Sequence, residues 1–329
     1  MFFVLKKDRK KRMVQDYQYL NSWTIKNNYP LPLISDLIDS IGKKKMFTKI
    51  DLCCGYNNVR IKEGDKWKAV FSIPEGSFEP MVMFFRLTNS PATFQAMIND
   101  LLRDLVVEEK VAIFIDDVMV AMETEERHDE IVEEVLKRLE ENDLFIKLEK
   151  YVWKVREVGF LGVIIGEDGV RTEKEKVQEV IEWPIPKSMK DVQKFLGLAN
   201  YYRWFVKDFV RIAKPLHKMM RKEMKWSWGE RQQRAFKKLK ERFTIELVLV
   251  TPDLDKEMRV ETDVSDFAIG GVLSMKCEDE KWRPVAYISK LLNEAKRNYE
   301  IHNKEMLVII WYLEAWRHFL EEAKDQFEI

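Results

Sequence analysis

The feature that most restricts what this chain can fold into is a pair of acids set inside an apolar hairpin. Val111-Ala112-Ile113-Phe114-Ile115 and Val118-Met119-Val120-Ala121 are apolar runs separated only by Asp116-Asp117. Two short apolar runs joined by two turn residues read as antiparallel strands. A turn needs at most one aspartate, and flanks this apolar do not suit an exposed loop. Two carboxylates buried against such a hairpin are costly unless a cation offsets them. A third acid, Asp51, ends another apolar strand over residues 46–52, which enters a tight turn at residues 53–56. Carboxylates on two strands, distant in sequence but able to meet, are what two Mg²⁺ ions need for in-line phosphoryl transfer. An ordinary Asp-Asp turn beside an unrelated aspartate accounts for the same residues, and residue types alone leave both readings open.

Around these acids the first half mixes strands and helices. Ser90 reads as a helix cap with Pro91 at the first helical position, and the helix carries Phe94, Met97, Ile98, Leu101 and Leu102. Thr124 starts a second helix with Ile131, Val135, Leu136 and Leu139 on one face. Residues 158–165 and Val170 flank Gly166-Glu167-Asp168-Gly169, a second hairpin. Pro184 and Pro186 then break the pattern, and a boundary is expected there. Helices are expected over residues 188–202, 203–221 and 230–243. After Pro252 the composition changes again, with strands over 260–262, 270–275 and 284–288 and a helix over 304–320. That last block reads as the start of a small α/β domain.

Composition excludes several classes. A length of 329 residues is too much for one core, so two or three domains are expected. With 46% hydrophobic residues the chain can build cores, and no apolar stretch reaches the ~18 residues of a membrane span. An apolar start followed by basic residues is the wrong order for a secretory signal. Neither Cys53-Cys54 nor the 4 scattered histidines has zinc-ligand spacing, and 3 cysteines do not make a disulfide framework. The 56 basic and 56 acidic residues cancel overall but segregate locally. Residues 6–12 hold six basic residues and one acid (+5), 123–143 ten acids against three basic residues (−7), and 187–225 eleven basic residues against three acids (+8). The acidic stretch reads as a solvated helix face. In the last basic stretch Tyr201, Tyr202, Trp204 and Phe205 interleave with Lys194, Arg203 and Lys207, the composition of a nucleic-acid surface. A solvated face remains the competing reading.

The motifs occur in an order that resembles the reverse transcriptase of Ty3/gypsy-type long-terminal-repeat retrotransposons, over nearly the whole chain. Lys6-Lys7-Asp8 with Arg12 and Asp16-Tyr17 resembles the fingers segment. Lys49-Ile50-Asp51-Leu52 with Gly55-Tyr56, then Leu87-Thr88-Asn89-Ser90-Pro91-Ala92-Thr93-Phe94-Gln95, then Phe114-Ile115-Asp116-Asp117 resemble three successive palm motifs. Phe160-Leu161-Gly162 resembles the primer-grip hairpin, and Phe195-Leu196-Gly197-Leu198-Ala199-Asn200-Tyr201-Tyr202-Arg203 the thumb. Thr262-Asp263-Val264-Ser265 and Asn298-Tyr299, with Lys304-Glu305, resemble the first part of a ribonuclease H domain.

The resemblance implies an α+β right-hand polymerase followed by an incomplete ribonuclease H-like α/β domain. The expected divisions are fingers and palm over 1–183, a helical thumb over 184–251 and the ribonuclease H-like part over 252–329. It also implies template-primed nucleotidyl transfer, with dNTPs, an RNA or DNA template and a primer as partners, no membrane, and other polyprotein-derived chains as candidate partners. Asp51, Asp116 and Asp117 would hold two Mg²⁺ ions, and Lys147 would be the general acid to pyrophosphate. Lys6, Lys7, Arg12, Leu52, Tyr56, Phe85 and Arg86 would meet the nucleotide, with Tyr56 excluding a 2′-hydroxyl. Phe160, Leu161, Gly162, Lys194, Arg203 and Lys207 would contact nucleic acid, and Asp263 and Glu305 would be the ribonuclease H remnant.

The chain departs from the family pattern at several positions. Pro80, Phe84 and Arg86 stand where the family has Trp, Pro and Gly, and Gln18 replaces an Arg. A Gly at position 86 lets the backbone approach a ligand closely, and a long cation there cannot be neutral. The family places its next ribonuclease H aspartate just beyond Ile329, so Asp263 and Glu305 are expected to lack their partners. A fragment or decayed copy of a polyprotein is the expectation. The rival readings are a silent relic that only binds nucleic acid, favoured by Arg86 and Pro80, and an RNA-copying RNA polymerase, disfavoured by Tyr56.

Overall fold

The computed structural model describes residues 2–5, 11–221, 224–245, 248–265 and 267–321. The chain divides into two compact units, Met1–Val158 and Gly159–Ile329.

The first unit is built on a four-stranded antiparallel sheet. Its order is Val111–Phe114, Asp117–Met122, Met46–Asp51, Val152–Val155. The strand Asp117–Met122 is central and buried from Val118 onward, as a run without polar alternation should be. Helices Ser90–Leu101 and Glu125–Glu141 pack on the sheet. Ile50, Leu52, Phe94, Ile98, Val118, Val120, Val132 and Val135 form one core with them. Each fully buried aliphatic or aromatic side chain contributes roughly 1.5–3 kcal/mol. The acidic run forms the helix Glu125–Glu141, which buries His128, Ile131, Val132, Val135 and Leu139 and leaves its charges outside.

Two local expectations shift by one residue. The helix starts at Ser90, with Asn89 at the cap position, because the Ser90 hydroxyl donates instead to the Phe84 carbonyl at 3.1 Å. The hairpin turn is Ile115-Asp116 and not Asp116-Asp117, since Phe114 pairs directly with Asp117. The cause lies in the neighbouring helix. Gln95, wholly buried, accepts from the Ile115 N–H at 2.7 Å and donates to the Ile113 carbonyl at 3.2 Å. This holds Ile115 at φ 56°, a left-handed conformation costly for a β-branched residue.

In the second unit the expected hairpin forms between Val163–Gly166 and Gly169–Thr172. Gly169 is required there: its φ is 119°, and a Cβ would lie 2.1 Å from the Leu249 carbonyl oxygen. Ser188 caps the helix Met189–Tyr201 by accepting from the Asp191 N–H at 3.2 Å. The expected helix over 203–221 is interrupted. A 3₁₀ turn, Arg203–Phe205, precedes the helix Phe209–Met219, and Asp208 between them sits in the left-handed region at φ 59°. Helix Glu230–Thr244 follows. Strands Met258–Val264, Ala268–Lys276 and Trp282–Leu291 form an antiparallel meander. Tyr312, on the helix Ile301–Ala315, packs over Gly271, where a Cβ would lie 2.5 Å from its ring. The expected helix over 304–320 divides at Trp316, a short helix Arg317–Leu320 following. No helix among the described residues is long and apolar enough to cross a membrane.

Candidate active site

The three acids of the first unit come together through strand register. Asp51 and Asp117 are direct partners across neighbouring strands. Asp116 occupies the adjoining turn, and its carbonyl accepts from the Leu52 N–H at 2.9 Å. The Asp116 carboxylate also lies beside Gly55, where a Cβ would be 3.8 Å from Oδ2. The expectation of a buried Asp116-Asp117 pair needs correcting. Both are half-buried at the open end of the hairpin, and the buried acid is Asp51. Asp51 ends a strand with neighbours on both sides, whereas the pair borders a turn.

Lysines answer these carboxylates. Lys147 Nζ donates to Asp51 Oδ1 and, at 2.8 Å, to the Leu52 carbonyl. Lys150 Nζ donates to Asp51 Oδ2 at 2.7 Å. Lys49 Nζ lies 3.7 Å from Asp117 Oδ1. Burial pushes the Asp51 carboxyl up, but the bonds from Lys147 and Lys150 outweigh it and hold the group below the usual range. Asp117 goes the other way. Burial raises it, Lys49 lowers it in part, and the nearby Asp116 and Asp51 carboxylates raise it further. The bond to Asp51 raises Lys150. Sequence reasoning named Lys147 and missed Lys150 and Lys49. The available signal was the Lys-x-x-Lys spacing across the 3₁₀ turn Leu148–Lys150, where residues three apart share a side.

Among the described residues, no three His, Cys, Asp or Glu side chains are already gathered as a metal-holding group. The donors are nevertheless hard carboxylate oxygens from adjacent strands, and Asp117 is raised first by burial and then by its two carboxylate neighbours. Both properties fit a hard divalent cation.

Beside the acids, Tyr56 lies edge-on to Phe85 (5.1 Å between centroids) and Phe94 (6.0 Å). Leu52 is wholly buried, its N–H bonded to the Asp116 carbonyl and its carbonyl to Lys147 Nζ. Arg86 is exposed with φ 77°, the conformation a glycine adopts freely, and its carbonyl accepts from Asn21 Nδ2 at 2.7 Å. Arg12 lies in the strand Lys11–Val14, its backbone opposite Val4. Lys6 and Lys7 lie outside the described residues.

In the second unit, Lys194, Arg203 and Lys207 are exposed. Phe160 is wholly buried, so of the Phe160-Leu161-Gly162 motif only Leu161 and Gly162 are partly exposed. The Tyr201 hydroxyl donates to the Leu161 carbonyl, and the Tyr202 hydroxyl to the Gly162 carbonyl at 3.1 Å. Tyr202 and Phe205, expected among surface aromatics, are buried because the one locks the hairpin and the other packs beside it. Asp263 Oδ2 accepts from Arg211 Nη1 at 3.2 Å. Glu305 lies on the exposed side of its helix, 3.9 Å from His302.

Residues 4–165 match the family described as reverse transcriptase (RNA-dependent DNA polymerase), and residues 228–329 the RNase H-like domain found in reverse transcriptase. Similar curated proteins include the transposon Tf2-3 and Tf2-7 polyproteins of Schizosaccharomyces pombe. Each is 37% identical over 329 residues, which is 100% of this chain and 25% of the polyprotein. The chain thus spans a quarter of the length of these relatives. Among solved structures, a foamy viral protease-reverse transcriptase dRH in complex with double-stranded DNA superposes with a TM-score of 0.83 at 23% identity, covering 99% of this chain and 56% of the other. The foamy viral protease-reverse transcriptase with an RNA/DNA hybrid gives 0.79 at 23% identity, covering 99% and 43%. At that identity the likeness concerns the fold.

Proposed function

We propose, for a chain that belongs to the reverse transcriptase family and is of the Ty3/gypsy retrotransposon type, that its first unit synthesises DNA on a primed RNA or DNA template. The observation that carries this reading is the direct register of Asp51 with Asp117, with Asp116 in the adjoining turn. Asp51, Asp116 and Asp117 would hold two Mg²⁺ ions. Bound there, the ions would lower the pKa of the primer 3′-hydroxyl and offset charge on the departing pyrophosphate. The chain's own residues do the rest. Lys147, fixed by the Leu52 carbonyl, holds a proton on Nζ for the pyrophosphate oxygen. Tyr56, backed by Phe85 and Phe94, fills the space a 2′-hydroxyl would need. Lys6, Lys7, Arg12 and Arg86 supply positive charge to the triphosphate. The exposed Lys194, Arg203 and Lys207, with the Leu161-Gly162 turn, meet the template–primer duplex.

The test is primer extension on poly(rA)–oligo(dT) with the full chain, dTTP and Mg²⁺. Extension is expected, and Asp116→Asn should reduce it about a thousandfold while duplex binding persists. An active Asp116→Asn protein would sink the assignment. Arg86 favours a second reading, a relic that binds nucleic acid without catalysis, because a long cation stands on backbone shaped for glycine. That reading requires duplex binding without any extension by the unmodified chain.

A further inference from the structure

The two lysines on Asp51 are not equivalent. Lys147 is held from several directions: its backbone N–H donates to the Asp51 carbonyl at 2.9 Å, and its ammonium to the Leu52 carbonyl as well as the carboxylate. Its side chain is 26% exposed. Lys150 is 59% exposed, and its ammonium bonds only to Asp51 Oδ2 among the described residues. It also lies in the field of Asp116 and Asp117. A buried carboxylate without counter-charge is costly, and Lys150 supplies that charge from a stem that reaches water.

A divalent cation and an ammonium cannot share one carboxylate oxygen without strong repulsion. Lys147 cannot retreat without leaving the Leu52 carbonyl. Lys150 can, because its ammonium regains full hydration outside. We propose that Lys150 is a displaceable counter-ion of Asp51, a positioning residue that holds the carboxylate in the cation-free protein and leaves it when a divalent cation binds. Lys150 thereby sets how much cation the site needs. This rests on the reading of Asp51 as a cation ligand.

The experiment is Mn²⁺ binding to the full chain, followed by loss of the free-ion paramagnetic resonance signal at fixed ionic strength. Lys150→Gln should bind Mn²⁺ about fivefold more tightly than the unmodified chain, the scale of removing one nearby charge in a water-like dielectric. Lys150→Arg, which keeps the charge, should bind as the unmodified chain does. Lys147→Gln removes a charge too, but also the tether from the Leu52 carbonyl to the Asp51 carboxylate, so it should tighten binding less. Unchanged or weaker binding by Lys150→Gln, or equal tightening by Lys147→Gln, overturns the proposal. Asp51→Asn separates the two levels. If it binds Mn²⁺ as the unmodified chain does, Asp51 is no ligand and both readings fall. If it binds weakly while Lys150→Gln shows no gain, only the displacement of Lys150 falls.

Discussion

In the first unit the Asp51 side chain is 8% exposed and receives two ammoniums, one 2.7 Å away. In the second, Asp263 is 55% exposed and receives one guanidinium at 3.2 Å. Both acids lie near the end of a strand in an antiparallel sheet. Their surroundings differ in consequence. A carboxylate sealed in a sheet cannot stay charged without a partner, so the first unit commits lysines to it. A carboxylate in water is indifferent to its partner, and the Arg211 pair is worth little. Burial and register gather three carboxylates with their lysines in the first unit, and Asp263 has no such surroundings among the described residues.

The contrast can be broken in several ways. Beyond the carboxylates themselves, the largest expected effect is that of Lys147→Ala, which should lower kcat about a hundredfold with duplex affinity unchanged, as loss of a general acid does. A fall in affinity alone would make Lys147 a mere support. Tyr56→Ala should raise ribonucleotide use relative to deoxynucleotide use about tenfold in competitive incorporation, and a constant ratio would return Tyr56 to the core it partly belongs to. Arg86→Gly should raise stability by about 1 kcal/mol in chemical denaturation, because glycine adopts φ 77° without strain. A loss would mean that the Arg86 side chain outweighs its backbone.

A pH test comes next. Burial, with help from Asp36 and against Lys43, pushes the Asp39 carboxyl up from 3.8 to about 7. The folded protein then binds this proton more tightly than the unfolded chain, so stability falls as pH rises from 3.8 through about 7. Asp39→Asn should therefore raise the Tm at pH 8 by about 2 °C and change little at pH 4. The reverse pattern would show a charge-stabilised Asp39. Smallest of all, Asp263→Asn should cost less than about 0.5 kcal/mol, since the pair it breaks is more than half exposed. A larger loss would erase the distinction between the two acids.

Much of this was legible in the sequence for physical reasons. Apolar runs ending in Asp51 and flanking Asp116-Asp117 read as strands, which the structure joins in one sheet, and the Gly166-to-Gly169 hairpin and the Ser188 cap follow local rules. What escaped depends on contacts distant in sequence. The turn moved to Ile115-Asp116 because Gln95, 20 residues away, bonds its backbone. Lys150 escaped because it meets Asp51 across 99 residues of sequence, and lysines in a charged loop read as surface. The break at Asp208 escaped because helical composition continues on both sides of it.

The most direct measurement compares DNA synthesis by Asp51→Asn and Asp263→Asn proteins in single-turnover primer extension with Mg²⁺, each checked for duplex binding. The account expects Asp51→Asn to lose synthesis while binding the duplex, and Asp263→Asn to extend at the unmodified rate. Synthesis retained by Asp51→Asn, or lost by Asp263→Asn with the duplex still bound, would contradict it.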